Sequence, residues 1–283
     1  MSTTEPDSGR RSLDRLRSHY LVERQLADRL RRSIRKERSR LYAEVYDELF
    51  RQVPDHPQLT RKADAAAQRD AVSARFNIVR PWLTPDSTFM EIGPGDCSLA
   101  IEVARRVSQV YAIDVSAEIT KSIQPPPNFT LSISDGSAIP LPDATVDVAF
   151  SYQLIEHLHP VDAVEHAREV ARVLKPGGVY ICVTPNRLTG PHDVSRFFDE
   201  VATGFHMREY TVRELSDLFQ ANGFARVNAL LGVRGRFASL NAVIPHAIES
   251  VLETLPRAVR LRVGAAVPLR QVIGCAVAAR KAS

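Results

Sequence analysis

The segment Thr88-Phe-Met-Glu-Ile-Gly-Pro-Gly-Asp-Cys-Ser-Leu-Ala100 constrains the fold more than any other stretch of the chain. An apolar run ends in a carboxylate, two glycines flank a proline, and a helical pattern begins at once. That is a strand, a tight turn and a helix N-terminus, whose backbone N–H groups suit a ligand with an adenosine end. Further strands are expected at Gln109–Ile113, Phe129–Ile133, Val146–Phe150 and Val179–Val183. Helical patterns fall at Cys97–Arg106, Ala117–Ile123 and Ala163–Leu174. Strands separated by helices predict an α/β fold, a parallel sheet covered on both faces.

Upstream, Met1 to Gly9 reads as disordered. Leu13, Leu16, Tyr20, Ala27, Leu30 and Ile34, then Leu41, Val45 and Leu49, repeat at helical spacing. They imply one long helix or two consecutive ones, ended by Pro54 and Pro57. A further helix is expected over Ala65–Arg80. Downstream, Asn186–Glu209 reads as a long loop. Thr211 and Glu214 form a capping box for a helix to Asn222, and strands follow at Val227–Leu231 and Val272–Ala279. The expected organisation is a basic helical extension over 1–65 and an α/β domain over 66–283. Within that domain the core is 70–232, an insertion spans 233–270, and the last strand is 271–280.

Net charge is only +4 over 283 residues, too little to demand a polyanionic partner. The basicity is local, with twelve basic and four acidic residues between Gly9 and Arg40. This stretch is either a solvated helix face or a docking arm for RNA or an acidic membrane. Tyr20 is its single aromatic residue, which argues against a base-stacking platform and hence against nucleic acid. Cys97, Cys182 and Cys275 lie far apart in apolar stretches, as expected of reduced core thiols in a cytoplasmic protein. Neither a signal peptide nor a run of about 18 apolar residues is visible.

A dinucleotide fingerprint would place a third glycine at position 98, where the chain has Ser98. Glu91 at the strand end would repel a pyrophosphate but attract an amino-acid ammonium or a sulfonium. Asp114, at the end of the second strand, can accept from both ribose hydroxyls. Asp135, in Ser134-Asp-Gly, is either a turn residue or an acceptor for an adenine amino group.

Glu91-Ile-Gly-Pro-Gly95, Asp114, Asp135, Phe150-Ser-Tyr-Gln-Leu-Ile-Glu-His157, Leu174-Lys-Pro-Gly-Gly178 and Thr184-Pro-Asn186, in this order, carry a resemblance. The chain resembles class I S-adenosylmethionine-dependent methyltransferases of the ubiquinone/menaquinone-biosynthesis type over about residues 70–232. The resemblance implies a Rossmann-like seven-stranded sheet, six strands parallel and the last antiparallel. It implies S-adenosyl-L-methionine as cofactor, with Glu91, Gly93 and Gly95 at the methionine part. Asp114 with Val115 would meet the ribose, Asp135 with Gly136 the adenine, and Ser151 and Tyr152 the methyl-transfer face.

For transfer to oxygen a general base helps, and His157, His159, His192 and His206 lie where acceptor residues could be. His157 and His206 are the catalytic candidates, each of them alternatively a structural histidine. The loop after the fourth strand, Ser151–Pro160, has no Pro-Pro-aromatic turn and no cysteine, which argues against nucleic-acid amino and cytosine C5 chemistry. No His/Cys/Asp group has metal-ligand spacing along the chain, so no metal is expected. The expectation is methyl transfer to a small molecule, at oxygen. RNA methylation and cofactor binding without catalysis are the alternatives. A homodimer contact through the N-terminal helices and a membrane-surface contact through Phe237–Leu269 are the further partner expectations.

Overall fold

The computed structural model describes residues 11–56, 65–115, 124–134, 138–233, 236–266, 269 and 272–283. The expected disordered start, the helix Ala117–Ile123, Asp135 and Gly136 lie outside the described residues.

Eight strands form one sheet: β1 Thr88–Ile92, β2 Gln109–Asp114, β3 Phe129–Ile133, β4 Val146–Tyr152, β5 Leu174–Thr184, β6 Phe224–Val233, β7 Arg236–Asn241 and β8 Cys275–Lys281. Their order is β3-β2-β1-β4-β5-β8-β6-β7. The first five are mutually parallel, and β8 runs antiparallel to both β5 and β6. The expected seven strands are therefore one short. The extra strand, β7, pairs antiparallel with β6 in the register Leu230↔Ser239 and comes from the insertion. Arg236-Phe-Ala-Ser-Leu-Asn241 has too few apolar positions to declare itself a strand alone; the neighbouring ladder makes it one.

Strand alternation sorts the core into two layers. Phe89, Val110, Ala112, Val148, Phe150, Val179 and Ile181 point to one face. There they pack on α3 (Ala65–Val79) and α4 (Ser98–Ala104) through residues such as Val79, Leu99 and Val103. Met90, Ala149, Tyr180 and Cys182 point to the other face, with α5 (Pro160–Val173) and α6 (Val212–Gln220). Two helices, α7 (Val243–Glu253) and α8 (Arg257–Gly264), complete the insertion. The Thr211–Glu214 capping box forms, with Thr211 Oγ1 accepting from the Glu214 N–H at 3.1 Å. β5 begins at Leu174 rather than Val179, because Lys175–Gly178 is a bulge in its pairing with β4.

The N-terminal helical period resolves into two helices, α1 (Leu13–Arg32) and α2 (Arg35–Gln52), whose inner residues Leu26, Leu30, Val45 and Leu49 join the second core layer. Arg38 on α2 reaches Asp162 on α5 with a bidentate pair of 2.6 and 2.8 Å, and the Tyr42 hydroxyl donates to the same carboxylate at 2.8 Å. Arg38 and Asp162 are both buried, so this clamp ties the hairpin to the α/β domain. Much of the N-terminal basicity is used in the same way. Arg31 donates to the Thr203 and Gly204 carbonyls, Arg29 pairs with Glu48, and Arg15 with Asp55.

Candidate active site

The chain reverses its direction of winding between β1 and β4, and a crevice opens past the carboxyl ends of these two strands. The turn after β1 enters it with Gly93 at φ +67° and Gly95 at φ +58°, both left-handed. The Gly93 N–H donates to the Ile113 carbonyl at 2.9 Å, folding the turn onto β2. A Cβ on Gly93 would press on Leu154 at 3.2 Å, whereas a Cβ on Gly95 would meet open space. Asp96 accepts from the Ser98 N–H at 3.0 Å, and Gln68 on α3 donates to both Asp96 and Ser98 Oγ. Where a dinucleotide fold would have its third glycine, Ser98 therefore pins a helix against the turn.

Glu91 is 2 % exposed, and its Oε2 has no hydrogen-bond partner. Burial pushes its carboxyl up to about 8, with Arg75 of α3 pulling the other way. A buried, orphaned carboxylate oxygen beside a glycine cradle fits a cationic amino-acid group. Asp114 is buried at the end of β2, next to a half-buried Val115. The residues present thus fit S-adenosylmethionine.

Ser151 lies elsewhere. It is fully buried on the α5–α6 side, where its hydroxyl is 2.7 Å from Tyr180 Oη, itself 3.0 Å from His166 Nε2. Strand alternation turns its side chain away from the crevice. Tyr152 is exposed, with Arg75 over its ring at 5.7 Å. Gln153, at φ +54°, lines the cavity described next, a contact that no local pattern announces. Gln68 and Arg75 were equally silent, because helical residues acquire this role only when α3 docks.

Between the loop after β4, the long loop and the N-terminal hairpin lies a cavity of about 260 Å³. Gln153 and His157 from the loop after β4, His192, Asp193 and His206 from the long loop, and His19, Glu23, Tyr46 and His56 from the N-terminal hairpin contribute to its wall. His157 Nδ1 lies 3.1 Å from the Phe205 carbonyl, and burial pulls its ring down to about 3, so it is neutral. His206 Nδ1 lies 2.7 Å from Glu209 Oε1. Burial lowers His206, but the Glu209 hydrogen bond and the charges of Glu156, Asp193 and Glu209 more than offset this and leave it raised. Glu156 is fully buried, accepts from Thr184 Oγ1 at 2.8 Å and is pushed up to about 7, chiefly by burial.

His159 stands apart from the cavity wall, capping α5 with its Nδ1 3.3 Å from the Val161 N–H. His192 is within reach of the Asn186 carbonyl and Thr189 Oγ1, at 3.0 and 3.1 Å. The expectation of no metal rested on spacing along the chain, whereas folding brings together two groups that could hold an ion. His19, Glu23 and His56 each offer a ligand atom within 4.8 Å of the others, and so do Glu156, His157 and His206. His19 and Glu23 are four residues apart on α1, and Glu156 and His157 are adjacent; His56 and His206 join them only through the fold. Glu23 is held down at about 2 because the two imidazoles outweigh its burial.

A methyltransferase-domain family model matches residues 90–182. The chain is 36% identical over 147 residues to a probable S-adenosylmethionine-dependent methyltransferase of Mycolicibacterium smegmatis, covering 51% of this chain and 54% of that one. It is 32% identical over 127 residues to the ubiquinone/menaquinone biosynthesis C-methyltransferase of a Caulobacter species, covering 41% and 48%. The chain thus spans about half the length of these curated relatives. The fold is shared with a chain from the complex of the Haloferax volcanii Trm112 methyltransferase activator with a methyltransferase. That likeness has a TM-score of 0.51 at 18% identity, over 75% of this chain and 89% of that chain. Turn, sheet order and relatives agree on a Rossmann-like α/β fold whose residues 90–182 match a methyltransferase domain, and the relatives that the chain resembles over about half their length include S-adenosylmethionine-dependent methyltransferases.

Proposed function

We propose that this chain methylates a hydroxyl oxygen of a small, polar acceptor such as a hydroxylated acid or sugar derivative. The observation that carries this reading is His206, in the wall of a cavity lined mainly by polar side chains, with its Nδ1 2.7 Å from the buried Glu209 behind it. When bound, S-adenosylmethionine supplies an electrophilic methyl group for in-line displacement. Glu91 and the Gly93–Gly95 backbone hold the amino-acid end, and Asp114 the ribose. With Nδ1–H donating to Glu209, the other nitrogen of neutral His206 is available to take the acceptor's proton. Glu209 orients the ring and stabilises the imidazolium that results. Neutral His157 is too weak a base for this step, and it shapes the cavity beside His206 (ring centroids 4.9 Å).

One relative bears a name specifying carbon methylation, but a cavity lined by five histidines, Arg11 and Arg196 suits a hydroxylated acid better than an apolar quinol. An RNA docking arm finds less support, since arginines 15, 29, 31 and 38 are spent on contacts within the protein.

The reading is tested by mass spectrometry of methylated products from hydroxylated acids, glycosides and an apolar quinol. His206→Gln is expected to lower kcat by about 10²–10⁴-fold with S-adenosylhomocysteine affinity unchanged. In the wild type kcat should rise with pH through a midpoint above 6.5, because the raised pKa of His206 must be passed before it is a free base. Preferred turnover of the quinol, or full kcat in His206→Gln, would refute the proposal.

A further inference from the structure

We propose that His19, Glu23 and His56 form a site for a divalent transition-metal ion of the zinc type, in the cavity wall supplied by the N-terminal hairpin. His19 Nε2 lies 3.3 Å and His56 Nε2 3.8 Å from Glu23 Oε1. Ligands on a tetrahedral ion with bonds of about 2.0–2.1 Å are about 3.4 Å apart, so the group closes on an ion with small side-chain movements.

Three further observations support the site. The residues are 4 %, 5 % and 8 % exposed, unlike a chance surface cluster. Glu23 Oε2 is buried with no hydrogen-bond partner, leaving an oxygen that an ion would satisfy. The site is also prearranged: His19 and Glu23 share one face of α1 at i,i+4. The His56 N–H donates to the Val53 carbonyl at 3.0 Å, and its ring packs on Phe50 at 5.4 Å between centroids.

Two histidines and a glutamate complete three positions of a tetrahedron, and the fourth faces the cavity, where a water or an acceptor oxygen could bind. His19 Nδ1 now lies 3.0 Å from an Arg11 nitrogen, which donates to it, so the ring proton sits on Nε2 toward Glu23. Ion binding at Nε2 moves that proton to Nδ1 and turns Arg11 aside, with no net proton released from His19. The second triad, Glu156, His157 and His206, also keeps an unpartnered carboxylate oxygen, Glu156 Oε1, but its His206 is the base proposed above, so the ion is assigned to the first triad. Ion binding at the first triad is independent of whether the acceptor is methylated.

The test uses the full chain, stripped with a chelator and titrated with Co²⁺ while the visible d–d absorption is followed, then with Zn²⁺ in competition. One equivalent is expected to bind. Glu23→Gln should weaken Co²⁺ binding by more than the roughly 10–100-fold that loss of a merely supporting residue brings. His246→Ala, a histidine remote from the cluster, should bind as the wild type does. His56→Gln is read in place of Glu23→Gln if circular dichroism shows the latter unfolded. Wild-type affinity in the folded cluster variants overturns the proposal, and so does loss of binding on Glu156→Gln in place of Glu23→Gln.

Discussion

Arg38→Ala probes how the N-terminal hairpin is held to the α/β domain. In the intact protein the guanidinium satisfies both oxygens of Asp162, at 2.6 and 2.8 Å, and donates to the Ser33 carbonyl at 2.6 Å. Truncation leaves a carboxylate 3 % exposed, with Tyr42 as its remaining side-chain donor. Stranding one partner of a buried pair costs about 3–5 kcal/mol, far more than loss of a surface ion pair. Urea unfolding should report that loss, with Tm falling on the order of 10 °C. The clamp joins α2 to α5 on the sheet face opposite α3 and α4, which flank the glycine turn, so S-adenosylhomocysteine affinity by calorimetry should stay within about twofold. The hairpin forms part of the cavity wall, so KM for the acceptor should rise and α1 and α2 should become protease-sensitive. Arg38→Met with Asp162→Leu removes both charges and should recover most of the stability. Asp162 sits below its ordinary pKa, because the Arg38 pair outweighs burial. Its contribution is present above the unfolded carboxylate pKa and lost as pH falls through the lower folded value. The wild type should therefore lose stability in acid faster than the double variant. A loss below about 1 kcal/mol for Arg38→Ala, or no recovery in the double variant, would refute the reasoning.

Two further expectations concern the cofactor turn. Glu91 is raised to about 8 in the folded chain, so ligand-free stability should decline as pH climbs from about 4.5 through 8. Glu91→Gln should remove that decline and weaken S-adenosylhomocysteine binding, and the wild type alone should release a proton on binding near pH 7, read by calorimetry in buffers of different ionisation enthalpy. Equal proton release from both would show that Glu91 does not face the ligand. Gly93→Ala combines a left-handed φ with a 3.2 Å contact on Leu154 and should cost stability on the order of 1–2 kcal/mol. Gly95→Ala puts its methyl into open space on the ligand side, and its loss of S-adenosylhomocysteine affinity should exceed its loss of stability; the reverse ranking would argue against the assignment.

Much of the fold was legible because its signals are local. β1 and β3 follow from apolar runs closed by turn residues, and the Thr211–Glu214 capping box from a four-residue pattern. The turn after β1 was legible for the same reason: Gly93 and Gly95 take left-handed φ just past the strand end, where backbone geometry dictates the residue, and Asp114 closes β2. β7 was not legible, since its pairing with β6 supplies what its composition lacks. The face that Ser151 takes was not legible, because one position along a strand reverses the face of a side chain, and only the packing of Tyr180 fixes which face is inward.

The sequence by itself thus determined the doubly wound sheet, the turn and the methyl donor, all written in short-range patterns of strand, glycine and carboxylate. Only the tertiary structure decided the cavity in which the acceptor is proposed to bind. Its walls join residues 19, 23 and 56 to residues 153, 157 and 206, a juxtaposition created by docking the hairpin on α5. Contacts so distant along the chain leave no periodicity to read, because they depend on which buried charges and apolar faces find each other once the sheet has formed.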